Sequence, residues 1–227
     1  MNIYVDIETL PSADPVFARD VAATIKAPGQ YKKQDSIDAW LAENRDAAVA
    51  EIIAKTSFDG LNGRIACICY AIDDGPVMAC ANNAEGQMLM EFYAAIEDTT
   101  SIDTHGGWAH HAATFVGHNL AGFDLPFLKH RSILNNVKPP AFVLKAMNAK
   151  SWDTCIADTM LMWSPDRERR VSMDKLCKAL GIAGKGDFDG SMVAATWPVD
   201  PGKVIEYCKQ DVERTRAIYK RITFQGQ

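Results

Sequence analysis

Two carboxylates interrupt an otherwise apolar opening segment, Ile3-Tyr4-Val5-Asp6-Ile7-Glu8. Ile, Tyr and Val favour extended backbone, so residues 2–7 are expected to form a buried strand. Side chains two apart on a strand share a face. Asp6 and Glu8 therefore point the same way out of a segment that otherwise belongs in a core. Uncompensated buried charge is costly. Two readings follow: the strand end frays into water, or a cation sits between the carboxylates. Hard oxygen ligands of this kind suit magnesium or manganese.

The 227 residues are 48% hydrophobic, enough to bury one sizeable core. No run of about 18 apolar residues occurs, so no membrane span is expected. The opening Met1-Asn2-Ile3-Tyr4 lacks a basic stretch followed by an apolar one. A secretory leader is not expected, and a cytoplasmic location follows as the default. None of the six cysteines forms a Cys-x-x-Cys pair. Cys67 and Cys69 alternate on one face of an apolar run and read as buried reduced thiols rather than a zinc site. The net charge of −5 does not mark a nucleic-acid binder. Two divalent cations on the acids would bring it close to neutral, so charge decides nothing about a polyanionic substrate.

Further strands are expected at 64–72, 77–81, 113–117 and 151–156, with a turn at Asp73-Asp74-Gly75-Pro76. Helices are expected at 37–55 behind a Ser36 cap, near 85–97, from about Leu125, and near 157–163 and 172–180. The last helix is the clearest. Asp200 can cap it, Pro201 can open it, and Val204, Cys208, Val212, Thr215 and Ile218 form an apolar stripe. Residues 11–35 read as irregular. The whole, 1–227, reads as one α/β domain with an extended segment at about 12–57 between its first two strands.

Two further acidic sites stand out. Asp124 closes Asn119-Leu120-Ala121-Gly122-Phe123-Asp124, just before an expected helix. Taken alone, an ordinary helix cap is the better explanation of it. Tyr207 and Asp211 are four apart, so they share the inward face of the last helix. A buried tyrosine there can pack its ring and direct its hydroxyl to a partner.

Taken in order, the Asp6-x-Glu8 strand, the Asn119-x-x-x-Phe123-Asp124 junction and the Tyr207-x-x-x-Asp211 helix resemble the three motifs of the DEDD, or DnaQ-like, 3′–5′ exonucleases. The histidine branch carries His five residues before its final Asp. Here that position is Glu206, and Tyr207 marks the tyrosine branch, DEDDy. Gly63-Arg64-Ile65, Ser172-Met173-Asp174-Lys175-Leu176 and Leu180-Gly181-Ile182 are similar to standalone relatives of the family-B DNA polymerase exonuclease domain.

The resemblance implies a ribonuclease H-like fold: a mixed five-stranded sheet flanked by helices. It also implies two divalent cations, Mg2+ or Mn2+. Asp6, Glu8 and Asp211 would hold one, Asp6 would bridge to the second, and Asp124 would act on that second ion. Tyr207 would hydrogen-bond the attacking water. Crowded carboxylates repel and resist ionising, which paired cations relieve. The implied substrate is a nucleic-acid 3′ end, DNA favoured over RNA, and the product a nucleoside 5′-monophosphate. Thr9 would offer a backbone N–H to the terminal nucleotide. Leu10 is either a wedge beside its base or plain core, and Asn119 either a substrate contact or a turn cap. Lys185 reads as a solvated loop lysine before a phosphate contact, and Arg167, Arg169 and Arg170 as a solvated charged turn. His118 has no catalytic role in this branch. A non-catalytic nucleic-acid-binding module on the same fold is the alternative, but decayed versions usually lose a ligand and all five site residues are present here. A haloacid-dehalogenase-like enzyme would need Asp where Glu8 stands.

Overall fold

A computed structural model describes residues 1–104, 107–110, 113–165 and 170–225, without the side chains of 99–104 and 107–110. Its strands are β1 (Asn2–Leu10), β2 (Arg64–Ile72), β3 (Met78–Cys80), β4 (Ser101–Thr104), β5 (Gly107–His110), β6 (Thr114–Gly117) and β7 (Ile156–Asp158). Its helices are α1 (Pro15–Thr24), α2 (Gln34–Lys55), α3 (Glu85–Thr100), α4 (Asp124–Leu134), α5 (Ala141–Met147), α6 (Thr159–Trp163), α7 (Met173–Leu180), α8 (Val193–Thr196) and α9 (Pro201–Ile222). The chain divides into two compact units, Met1–Thr9 with Ile65–Gln227, and Leu10–Arg64.

The first unit is built on a five-stranded mixed sheet in the order β3-β2-β1-β6-β7, with β1 at its centre. β1 runs parallel to β6, with Asn2 opposite Thr114 and Tyr4 opposite Val116, and β6 runs parallel to β7. β2 and β3 pair antiparallel. β4 and β5 form a separate antiparallel pair. This α/β architecture, a mixed sheet flanked by helices, is the ribonuclease H-like fold the sequence implies.

The period-2 alternation of β1 divides its side chains between two layers. Ile3, Val5 and Ile7 join the main core with Met88, Leu89 and Phe92 of α3, Leu125 and Leu128 of α4, and Val143 of α5. Tyr4 turns to the other face, where its ring meets Tyr219 of α9 edge-on at 5.9 Å. Asp6 and Glu8 continue that second face, and Cys208 of α9 reaches Asp6. A satellite core of Met173, Leu176, Cys177 and Ile218 packs α7 on α9. Asp200 caps α9 by accepting from the Lys203 N–H at 3.0 Å, and Pro201 opens it.

A half-buried polar knot fixes β2, α3 and α4 together. Glu85 accepts the Ile65 N–H at 2.7 Å, Asn135 at 2.9 Å and an Arg131 guanidinium nitrogen at 2.6 Å. The Glu85 and Arg131 side chains are 13% and 14% exposed, so water compensates little if one is removed. Glu85→Ala is expected to lower the unfolding free energy by about 2–4 kcal/mol in urea titrations. A loss under ~0.5 kcal/mol would mean a solvated pair of no consequence.

The second unit carries α1, α2 and a 3-10 turn at Thr56–Phe58. Thr56 is buried there and accepts the Ser12 N–H at 2.7 Å. Gly63 closes the unit where a Cβ would lie 2.3 Å from the Thr56 carbonyl oxygen, so only glycine fits.

Several local expectations are corrected. Residues 11–35 are not irregular throughout, because Asp14 caps α1 and Pro15 opens it. Ser36 is not the cap of α2. The Lys33 carbonyl already accepts the Ser36 and Ile37 N–H groups, so the helix is wound by Gln34. The strand expected at 151–156 starts only at Ile156, because Asp153 closes a turn on the Lys150 N–H. Helix α5 was not foreseen. Among the described residues, no helix is long and apolar enough to cross a membrane.

Candidate active site

The parallel pairing of β1 with β6, and the packing of α9 on β6, bring three separate sequence segments to one end of the sheet. Asp6 and Glu8 are both partly exposed. A carboxylate oxygen of each and the Cys208 sulphur lie within 4.8 Å of one another. Asp124 is the first residue of α4, and its helix begins with Phe123 rather than Asp124 in the cap position. The Asp124 carboxylate turns back to β1 and accepts the Ile7 N–H at 3.2 Å. Ile7 sits between Asp6 and Glu8, so this bond ties the second acidic segment to the first.

The β6–α4 junction is held by a residue the sequence reading passed over. Asp158, 5% exposed at the end of β7, accepts N–H groups from Asn119 and Ala121 at 3.0 Å each. Asn119 takes a left-handed φ of 65°, and its carbonyl accepts from Gly122 and Phe123. Its side-chain oxygen would lie 2.5 Å from a Cβ on Gly122. Asn119 therefore shapes the turn that delivers Asp124. His118 is absorbed by structure, bonding the Thr159 hydroxyl at 2.9 Å and the Val171 carbonyl at 3.0 Å.

From α9, Tyr207 and Asp211 face the same region, both buried. Asp211 is held by two cations: Arg214 at 2.6 Å on one oxygen and Lys185 at 2.8 Å on the other. The Lys185 ammonium also donates to the Tyr207 hydroxyl and lies 4.7 Å from that ring's centroid. Phe188 meets the Tyr207 ring edge-on at 5.0 Å. The expectation of a solvated loop lysine is thus corrected: its loop folds back, and the side chain is only 25% exposed. Arg170 is exposed, and Arg167 and Arg169 lie outside the described residues. Thr9 is partly exposed at the end of the acidic strand. Leu10 is buried and belongs to the second unit.

The electrostatics are those of crowded acids. Burial raises the Asp6 pKa well above the usual carboxylate range, and the charges of Asp124, Glu8 and Asp211 add to it. Glu8 is raised by burial and by neighbouring negative charge, which Lys185 partly offsets. Burial lifts Asp124 to about 7, against the N–H bonds it accepts. Tyr207 is pushed up by burial and by Asp211, so its phenol is neutral at physiological pH. Burial opposes the charge on Lys185, but Asp211 outweighs it and the ammonium persists.

A search of curated proteins found no match. A family model described as a predicted 3′–5′ exonuclease related to the exonuclease domain of PolB matches residues 76–227. The match spans Asp124, Tyr207 and Asp211, while Asp6 and Glu8 precede it. With two thirds of its length inside that match, the chain belongs to the family of predicted 3′–5′ exonucleases related to the PolB exonuclease domain.

Proposed function

We propose that the chain is a two-metal-ion 3′–5′ exonuclease that releases nucleoside 5′-monophosphates from the 3′ end of single-stranded DNA. One observation carries this reading. Asp6 and Glu8 lie close together, Asp124 is bonded to the Ile7 N–H between them, and each of the three is driven towards neutrality by burial and by the charge of neighbouring acids, Asp211 among them. Such a set is costly unless cations reach it. The donors are hard oxygens, which fits magnesium or manganese better than softer metals. Asp6, Glu8, Asp124 and Asp211 would hold two such ions. When bound, the ions act as Lewis acids on the attacking and leaving oxygens of the phosphodiester.

The chain's own groups have definable tasks. Tyr207 is a neutral hydroxyl donor in an acidic patch, able to orient a water without adding charge. Tyr207→Phe is expected to slow cleavage about 10–100-fold while manganese affinity stays within about twofold. Unchanged turnover would remove the hydroxyl from the mechanism. Lys185 occupies the Asp211 oxygen that an ion would need, and it is less buried than Arg214. The lysine is therefore the group that yields. Lys185→Met is expected to tighten manganese binding several-fold in calorimetry, because a competing cation is gone. Weaker binding would show that Lys185 organises the site instead. Asn119 holds the turn at its rim, and the Thr9 backbone N–H would meet the terminal nucleotide.

Substrate and polarity are tested together. DNA and RNA strands of one sequence, labelled at either end, would be incubated with manganese and the products separated. The expected result is single-nucleotide shortening from the 3′ end, faster on DNA. Faster RNA shortening would move the assignment to an RNA exonuclease. Shortening from the 5′ end would overturn the polarity.

A further inference from the structure

Directly behind the acidic pair lies a cluster that the exonuclease reading does not use. Cys67 and Cys69 project from one face of β2, as period 2 requires. Cys208 of α9 comes down between them and Asp6. The three sulphurs lie within 4.8 Å of one another, and each residue is fully buried. All are free thiols. Three sulphurs tetrahedrally placed about one zinc ion at its usual bond length would be about 3.8 Å apart. The trio is thus within a small side-chain adjustment of a ligand set. Cys155 and Cys177 are buried too, yet neither joins such a group among the described residues.

A fourth donor is at hand. The Cys208 sulphur is 3.4 Å from an Asp6 carboxylate oxygen, and Asp6 and Glu8 belong with Cys208 to a second close group. Residues Asp6 and Glu8 are partly exposed, so an ion has an entrance from the acidic side. Cys208 also donates to the Asp6 carbonyl at 3.4 Å, and Cys69 to the Ile205 carbonyl at 3.7 Å. These weak thiol hydrogen bonds do not compete seriously with a metal–sulphur bond.

We propose that Cys67, Cys69 and Cys208 form a site for a thiophilic divalent cation of the zinc and cadmium class, with Asp6 as the oxygen ligand. The ion enters past Asp6, binds the three sulphurs as thiolates and releases their protons to solvent. Soft sulphur selects such an ion over magnesium or manganese, which keep to the oxygen ligands in front. Because Asp6 serves both sites, the soft ion withdraws a carboxylate from the cleft. This last consequence, inhibition of cleavage, rests on the exonuclease reading; the binding itself does not.

The test uses the full chain, metal-free and reduced with a thiol-free reductant, titrated with cadmium. An ultraviolet thiolate-to-cadmium charge-transfer band should saturate at one ion per chain, and cadmium should raise the melting temperature. Cys208→Ser and Cys67→Ser should each weaken binding at least about 100-fold, while Cys155→Ser and Cys177→Ser should leave it intact. Circular dichroism confirms that each variant is folded. No saturating band in the wild-type chain would overturn the site without the use of any variant. A band that survives in folded Cys208→Ser would overturn it equally. These readouts need no turnover, so a chain inactive on nucleic acid would still report on the cysteines. Conversely, an absent band leaves the exonuclease reading standing. In an active preparation, pre-loaded cadmium should suppress manganese-dependent cleavage by the wild-type chain, with suppression relieved in Cys67→Ser.

Discussion

Asp6→Asn is expected to abolish cleavage and to stabilise the metal-free protein at the same time. Three neighbouring carboxylates, Asp124, Glu8 and Asp211, all raise the Asp6 pKa, on top of burial. In the proposed mechanism Asp6 would help to hold both ions, so its loss would remove several kcal/mol of transition-state stabilisation. At about 1.4 kcal/mol per tenfold in rate, turnover should fall at least ~10³-fold. Folding moves the other way. An amide keeps the shape of the side chain but carries no charge to repel its neighbours or to resist burial. Denaturant melts in a chelator at pH 8 should therefore place Asp6→Asn above the wild type by about 1 kcal/mol or more. Added manganese should reverse the order, because only the wild type gains from binding. A variant both inactive and less stable in the chelator would indicate that Asp6 holds the fold instead of a metal.

The second large effect is a pH dependence. Asp124 has an ordinary carboxylate pKa near 3.8 when unfolded and one of about 7 in the folded, metal-free chain. Between those values the native state holds a proton that the unfolded state has lost. Stability from this group is complete below about pH 4 and is lost as pH rises through about 7. Asp6 and Glu8 are raised as well and act with the same sign. His118 acts oppositely, since burial lowers its pKa and charging it below about 6.5 costs stability. The shift at Asp124 corresponds to a loss on the order of 4 kcal/mol across the window. Urea melts in a chelator should thus show stability falling from pH 5 to 8. The fall should be shallower in Asp124→Asn and nearly flat for the wild type in saturating magnesium. A wild-type slope that neither substitution nor magnesium alters would mean that the acids are individually hydrated.

The sequence carries the acidic set well because each part rests on a local rule. Period 2 puts Asp6 and Glu8 on one strand face, and i, i+4 spacing puts Tyr207 and Asp211 on one helix face. The Asp200-Pro201 cap is local too. The same Asp-Pro signal at Asp14-Pro15 opens α1, yet Pro11, Pro28 and Gly29 around it make that stretch look irregular. What escapes the sequence is contact across long separations. Lys185 sits between glycines and looks like solvent-exposed loop until the chain folds it onto residues 22 and 26 positions away. Asp158 looks like a plain helix cap, which it also is. Its grip on Asn119 and Ala121 depends on β6 and β7 lying side by side. Cys208 reads as one more apolar stripe member, although it touches a residue 202 positions earlier. Periodicity says which face a side chain takes; only the strand order β2-β1-β6 says which faces meet.

The central claim is metal-dependent removal of nucleotides by this acidic set. It is tested most directly by following one single-stranded DNA oligonucleotide, labelled at its 5′ end, with the wild-type chain in manganese, in excess chelator, and with Asp124→Asn in manganese. The account predicts a ladder of single-nucleotide steps in the first reaction and intact strand in the other two. A full-length strand in all three reactions, or an equal ladder in all three, would contradict it.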